Sequence, residues 1–158
     1  MAVCLVLLLS GAGSPPSFTA FASAFSAGYA EQNTAVFTLD FRDRLRAAAG
    51  AKGLERQARF FMEQSNGLKA FDRSQLSVKD QVLHDLIAYE IDLNQQRIGL
   101  EQRWTVAGRS VPENSLYELP EREAWYGYFV RFFTGTDITP EEVFAMGERE
   151  TERCLKEI

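Results

Sequence analysis

Ser77-Val-Lys-Asp-Gln-Val-Leu-His-Asp-Leu-Ile-Ala-Tyr-Glu-Ile-Asp-Leu-Asn-Gln-Gln-Arg-Ile-Gly-Leu-Glu-Gln-Arg-Trp104 is the stretch on which the fold of this chain turns. Its apolar side chains recur at helical spacing. Val82, Leu86, Tyr89, Leu93 and Leu100 fall on one line, and Leu83, Ile87, Ile91 and Ile98 on the next. Two adjacent lines make a stripe too wide for a single neighbour. The pattern therefore predicts a helix from Val78 to about Trp104, packed on more than one side. Ser77 with Asp80 three residues on is a near-match to a capping box and marks its start.

Toward the C-terminus, Gly108 to Pro120 reads as a loop carrying Pro112, Asn114 and Pro120. Glu121 to Phe133 reads as a short helix closed by Gly135. In Thr139-Pro-Glu-Glu142 the threonine caps, the proline takes the first helical position and Glu142 completes the box. The last helix should start at Pro140 and still be running at Ile158, as expected of a piece of a longer protein. Toward the N-terminus, Leu54 to about Phe71 is predicted helical, with Leu54, Ala58, Phe61 and Met62 on one side and Asn66-Gly67 as an interruption. Asn33 to Gly53 mixes both periods. Phe18, Phe21, Phe25 and Tyr29 step by three, four and four along one helix face. No repeat and no sustained alternation appears. The expectation is an all-α fold, an antiparallel array of about five to six helices.

The chain has 158 residues, 46% of them hydrophobic and 25% charged, and a net charge of −5. That balance fits one soluble domain and excludes collagen-like and low-complexity classes. An acidic chain has no electrostatic reason to seek phosphate backbones, so nucleic acid is not an expected partner. The charges all lie between Glu31 and Glu157. The uncharged start, Met1-Ala-Val-Cys-Leu-Val-Leu-Leu-Leu9 followed by Ser10-Gly-Ala-Gly-Ser-Pro-Pro16, has the outline of an export signal, although a basic residue near its start is missing. It is too short to span a bilayer, which takes ~20 apolar residues. Residues 1–16 are thus read as a signal-like leader and 17–158 as the helical domain of an exported, periplasmic or envelope-associated protein. The competing readings are a buried N-terminal strand or a misassigned start. Trimming is expected near Gly13, because cutting after Ala22 would destroy the Phe18–Tyr29 stripe. It would remove Cys4 and leave Cys154 as a lone thiol, read as a small packing side chain.

Three features could carry chemistry. Glu90, Asn94, Arg97 and Glu101 are spaced by four, three and four, which places them on one helix face. As a site, this row could orient a substrate carboxylate in a cleft wall; as structure, it is an ion-pair row. Trp125, Tyr126, Tyr128 and Phe129, continued by Phe132 and Phe133, could line an aromatic groove or form the middle of a core. Gly127 among them would admit a close neighbour. His84 is the lone histidine. A zinc helix needs a second histidine four residues on, where this chain has Ala88, so His84 reads as a surface or packing residue. One histidine and two cysteines supply no ordinary zinc site, and no Ser-His-Asp set or Gly-rich phosphate loop is present.

Tyr89-Glu-Ile-Asp-Leu-Asn-Gln-Gln-Arg97 resembles a helix motif of the bacterial family known as domain of unknown function 885. So does the run Leu119-Pro120, Trp125-Tyr126, Thr134-Gly-Thr-Asp-Ile-Thr-Pro-Glu-Glu142, Gly147 and Glu150. The likeness covers roughly Ser17 to the end. Members usually carry a glycine shortly after the Leu-Pro pair, where this chain has Glu121-Arg-Glu123. The resemblance implies the N-terminal portion of a longer, helical, exported protein similar to zinc metallopeptidases with a His-Glu-x-x-His helix. That helix would lie beyond Ile158. No catalytic or metal residue of the family falls on a position of this chain. The expectation is therefore a peptidase-like hydrolase portion, inactive and free of zinc by itself, taking a peptide-like substrate only with its remaining part. The alternative is a non-catalytic helical binding or scaffold module of the envelope.

Overall fold

The structure is a computed structural model that describes residues 17–32, 34 and 40–157. The signal-like segment and its cleavage point lie outside the described residues. Among the described residues there are six α-helices and no strand. The helices are α1 (Phe18–Glu31), α2 (Phe41–Arg46), α3 (Ala51–Leu68), α4 (Val78–Val106), α5 (Arg122–Thr134) and α6 (Pro140–Glu157), with short 3-10 turns at Arg73–Gln75 and Leu116–Glu118. The fold is all-α, as the periodicity predicts.

Local chemistry sets the helix ends. The Asp80 backbone N–H donates to Ser77 Oγ at 3.2 Å, and the Ser77 hydroxyl donates to the Asp80 carboxylate at 2.7 Å. The aspartate, one carbon shorter than glutamate, thus meets the serine side chain and not its backbone N–H. α4 closes in a Schellman pattern, with Arg109 N–H on Trp104 O and Gly108 N–H on Thr105 O. The box on α6 is complete: the Glu142 backbone N–H donates to Thr139 Oγ1, and the Thr139 N–H to Glu142 Oε2. At Gly135 the chain turns left-handed at φ 66°, which ends α5.

α4 is the central element, and two cores flank it. Phe18, Ala22, Phe25, Phe61, Leu68, Ile87, Ile91 and Ile98 form the first, between α1, α3 and α4. Leu45, Leu93, Leu100, Trp104, Leu119, Trp125, Tyr128 and Phe129 form the second, between α2, α4 and α5. α3 runs antiparallel to α4, since Gln57 meets Arg97 while Gln95 reaches the Phe61 carbonyl. α5 is also antiparallel to α4: Tyr89 reaches the Arg131 carbonyl and Trp104 packs edge-on against Trp125. Each wide stripe on α4 therefore has its own partner.

Several details differ from the sequence expectation. Asn66-Gly67 does not interrupt α3. A Cβ on Gly67 would lie 2.8 Å from the Phe21 ring, and one on Gly28 would lie 2.6 Å from the Phe60 ring, so these glycines let α1 and α3 approach closely. Gly127, expected to serve that purpose, faces open space. Met62, Val82 and Leu86, placed by periodicity among the apolar lines, are exposed. α6 has no buried residue; Phe144 and Leu155 are each 69% exposed. Among the described residues, no helix is long and apolar enough to cross a membrane.

Candidate functional site

The polar row of α4 does not act as one unit. Asn94, Arg97 and Glu101 are only 3–4% exposed, sealed between the two cores. Arg97 spends all three guanidinium nitrogens on the protein: Nε donates to Asn94 Oδ1 (3.2 Å), one terminal nitrogen to Glu101 Oε1 (3.0 Å) and the other to Gln57 Oε1 (2.9 Å). Gln57 Nε2 in turn donates to the Gln32 carbonyl at 2.8 Å, which ties the end of α1 to the row. Buried at 3% exposure and already engaged through each of its nitrogens, Arg97 presents no accessible donor to an external carboxylate. Among the described residues Glu101 Oε2 is buried without a hydrogen-bond partner, so the carboxylate depends on Arg97 for compensation of its charge.

Beyond this row, Arg44 of α2 is buried as well. Its Nε donates to Tyr128 Oη at 2.8 Å, and its guanidinium lies 4.0 Å from the Phe132 ring centroid. Burial pushes the Tyr128 phenol up to about 12, against the pull of the Arg44 and Arg97 charges. Two cationic side chains thus enter the interior, each on a specific partner.

Glu90 stands apart from the rest of the row. It is half-buried at the open seam between α1 and α4, where Tyr29 Oη donates to its Oε2 at 2.9 Å. Asn94 Nδ2 lies 3.4 Å from the same oxygen while donating to the Glu90 backbone carbonyl at 2.8 Å. Desolvation raises the Tyr29 phenol, a Thr34 hydrogen bond opposes this, and the Glu90 charge adds to the rise. The seam is a groove of about 250 Å³, walled by Ala22, Phe25, Leu83, Leu86 and Ile87, with Glu90 in its lining.

The aromatic block fills space. Trp125, Tyr128 and Phe129 are buried, with Trp125 stacked on Phe129 at 5.7 Å and Tyr128 stacked on Phe132 at 6.0 Å. Their own packing closes the aromatic groove that the sequence allowed; Tyr126 is half-buried beside them. His84 packs 6.0 Å from the Phe18 ring and borders a second hollow between α3 and α4, with Lys69, Arg73 and Asp92. Arg73 is committed there to Asp85 through two hydrogen bonds of 2.6 and 2.7 Å.

Among the described residues, no three His, Cys, Asp or Glu side chains are placed to hold a metal ion. Asp85, beside His84, is taken by Arg73, and Cys154 is exposed on α6. The described residues do not by themselves fit a zinc site. Sequence reasoning missed Gln57, Tyr29, Gln32 and Arg44. For Gln57 a signal existed: it is the polar residue on the Leu54–Phe61 face of α3, where an apolar side chain belongs. No family model, no curated protein and no solved structure matches the chain.

Proposed function

We propose that this chain is the N-terminal helical portion of an exported, peptidase-like and zinc-dependent hydrolase, in which its helices wall the cleft while metal and general base come from another part of the protein. The observation that carries the reading is α6. It is an 18-residue amphipathic helix with a complete capping box, and no residue of it is buried. A helix built so well at its start and left bare along its apolar flank is suited to further structure packing on it.

The chain departs from the resembled family at Glu121-Arg-Glu123, shortly after Leu119-Pro120, where members usually carry a glycine; within that segment Glu121 adopts the left-handed conformation at φ 57°, ψ 39°. A non-glycine residue there costs about 1 kcal/mol. Arg103 holds the Glu121 side chain by two hydrogen bonds of 2.6 and 2.9 Å, which offsets part of that strain. In the proposed enzyme residues outside this chain would hold the zinc, which would supply Lewis-acid chemistry at the cleft. The present helices would contribute shape and exclusion of solvent.

The alternative, a non-catalytic binding or scaffold module of the envelope, uses the same bare α6 face for a partner protein. The test compares this chain with the product of its reading frame carried to the stop codon. The expected longer product contains a His-Glu-x-x-His segment, retains zinc after dialysis, hydrolyses peptides and melts higher than the short chain. A product without zinc or hydrolysis would overturn the hydrolase reading in favour of the module.

A further inference from the structure

We propose that the groove between α1 and α4 binds a primary ammonium group carried on a short apolar body. This inference stands on Glu90 alone and holds whether the chain belongs to a hydrolase or to a scaffold.

The argument begins with charge. Glu90 is a carboxylate half-withdrawn from water, and among the described residues it has no ion-pair partner. The other two charged members of its row, Arg97 and Glu101, are ion-paired with each other inside the protein. One Glu90 oxygen is already occupied: Tyr29 and Asn94 both point donors at Oε2. The other, Oε1, has no partner among the described residues and is not sealed off. The two donors fix the carboxylate plane and leave one oxygen for a ligand.

That geometry selects the cation. A guanidinium binds best with both oxygens of a carboxylate, and one is taken here. A compact ammonium needs only one acceptor at a time. The surroundings select the rest of the ligand. Ala22, Phe25, Leu83, Leu86 and Ile87 offer an apolar wall of aliphatic and aromatic carbon next to the charge. About 250 Å³ lies just under the ~300–1,000 Å³ of ordinary small-molecule pockets, so the body must be short. The charge complement is the reverse of the substrate-carboxylate role that the row suggested as a sequence, because the accessible end of the row is its acid.

Leucinamide is the probe, with a primary ammonium, an isobutyl group and no carboxylate. Titrated into the 158-residue chain and followed by amide chemical shifts, it should perturb Tyr29, Leu83, Leu86 and Glu90 in a saturable way. N-acetyl-leucinamide, the same body without charge, should bind at least tenfold more weakly, as should the probe to Glu90→Gln. Should Glu90→Gln disturb the fold through Tyr29, Leu86→Lys provides the second variant. It places an ammonium one turn before Glu90 from an exposed position and should abolish leucinamide binding with the fold intact. Equal binding of the free and acetylated amides, no saturable shift, or an unaffected Leu86→Lys would overturn the proposal. So would concentration-dependent self-association that saturates the same residues without amine, since a second copy would then occupy the groove.

Discussion

α4 and α6 begin almost identically and end up in opposite environments. Each opens on a hydroxyl cap followed three residues later by an acid, and each alternates apolar and charged residues at helical spacing. α6 has the cleaner division into an apolar and a polar face, yet it buries nothing. α4 is polar enough to look mediocre as a core helix, yet nine of its residues are buried, among them Asn94, Arg97 and Glu101. Amphipathic patterning says which face a helix would bury if a neighbour were present. Whether a neighbour is present depends on the remainder of the fold, and α4 packs chiefly against α1, α3 and α5 while α6 meets chiefly α5.

The sharpest way to break this contrast is Arg97→Ala. It strands the buried Glu101 carboxylate, and removing one partner of such a pair costs about 3–5 kcal/mol. Urea unfolding should show most of the chain's stability gone. A loss below 1 kcal/mol would mean that the interior of α4 is wetter than the burial of Arg97 and Glu101 implies.

Alkaline pH tests the other flank of α4. A buried phenol raised from 10 to about 12 favours its protonated form in the folded state. Its contribution is fully present below pH 10 and is lost as pH rises through 12, at up to ~1.4 kcal/mol per pH unit in that window. Tyr128→Phe should flatten the stability profile between pH 10 and 12 while leaving α6 unaffected. An unchanged slope would place the titration elsewhere.

Close approach provides a smaller effect. Gly28→Ala drives a methyl into Phe60, whose ring is pinned by Phe25 and Phe61. Overpacking of this kind costs ~1–3 kcal/mol, less up to ~1 kcal/mol regained in helix propensity. Gly127→Ala has no neighbour to meet and should stabilise by up to ~1 kcal/mol. Thermal melts that rank the two in the opposite order would contradict the assignment of close contact to the α1–α3 seam.

The caps give the finest comparison. Ser77→Ala should lower global stability by about 1 kcal/mol, because α4 unfolds only with both cores. Thr139→Ala removes an equivalent cap but should move the global midpoint by less than ~0.5 kcal/mol, because α6 opens locally. Hydrogen exchange along α6 should accelerate instead. Equal global losses would show that α6 is coupled to the cores after all.

By itself the sequence determined the all-α class, the extent of α4 and its two partner faces, and the starts and stops at Ser77, Gly135 and Thr139. These are short-range features: a 3.6-residue period, a side chain within three residues of a backbone N–H, and a glycine at a left-handed turn. It also placed Glu90, Asn94, Arg97 and Glu101 on one face. Only the tertiary structure decided that three of them are sealed inside and that Glu90 opens on a groove. Gln57, Tyr29 and Gln32 arrive from 25 to 61 residues away along the chain in their hydrogen bonds, and no local pattern encodes such a meeting. The same holds for the glycines. Gly67 and Gly127 are indistinguishable as letters inside helices, and what separates them is the Phe21 ring that another helix delivers to one and not to the other. Burial is a property of the whole assembly of neighbours, so a face can be read from a sequence while its covering cannot.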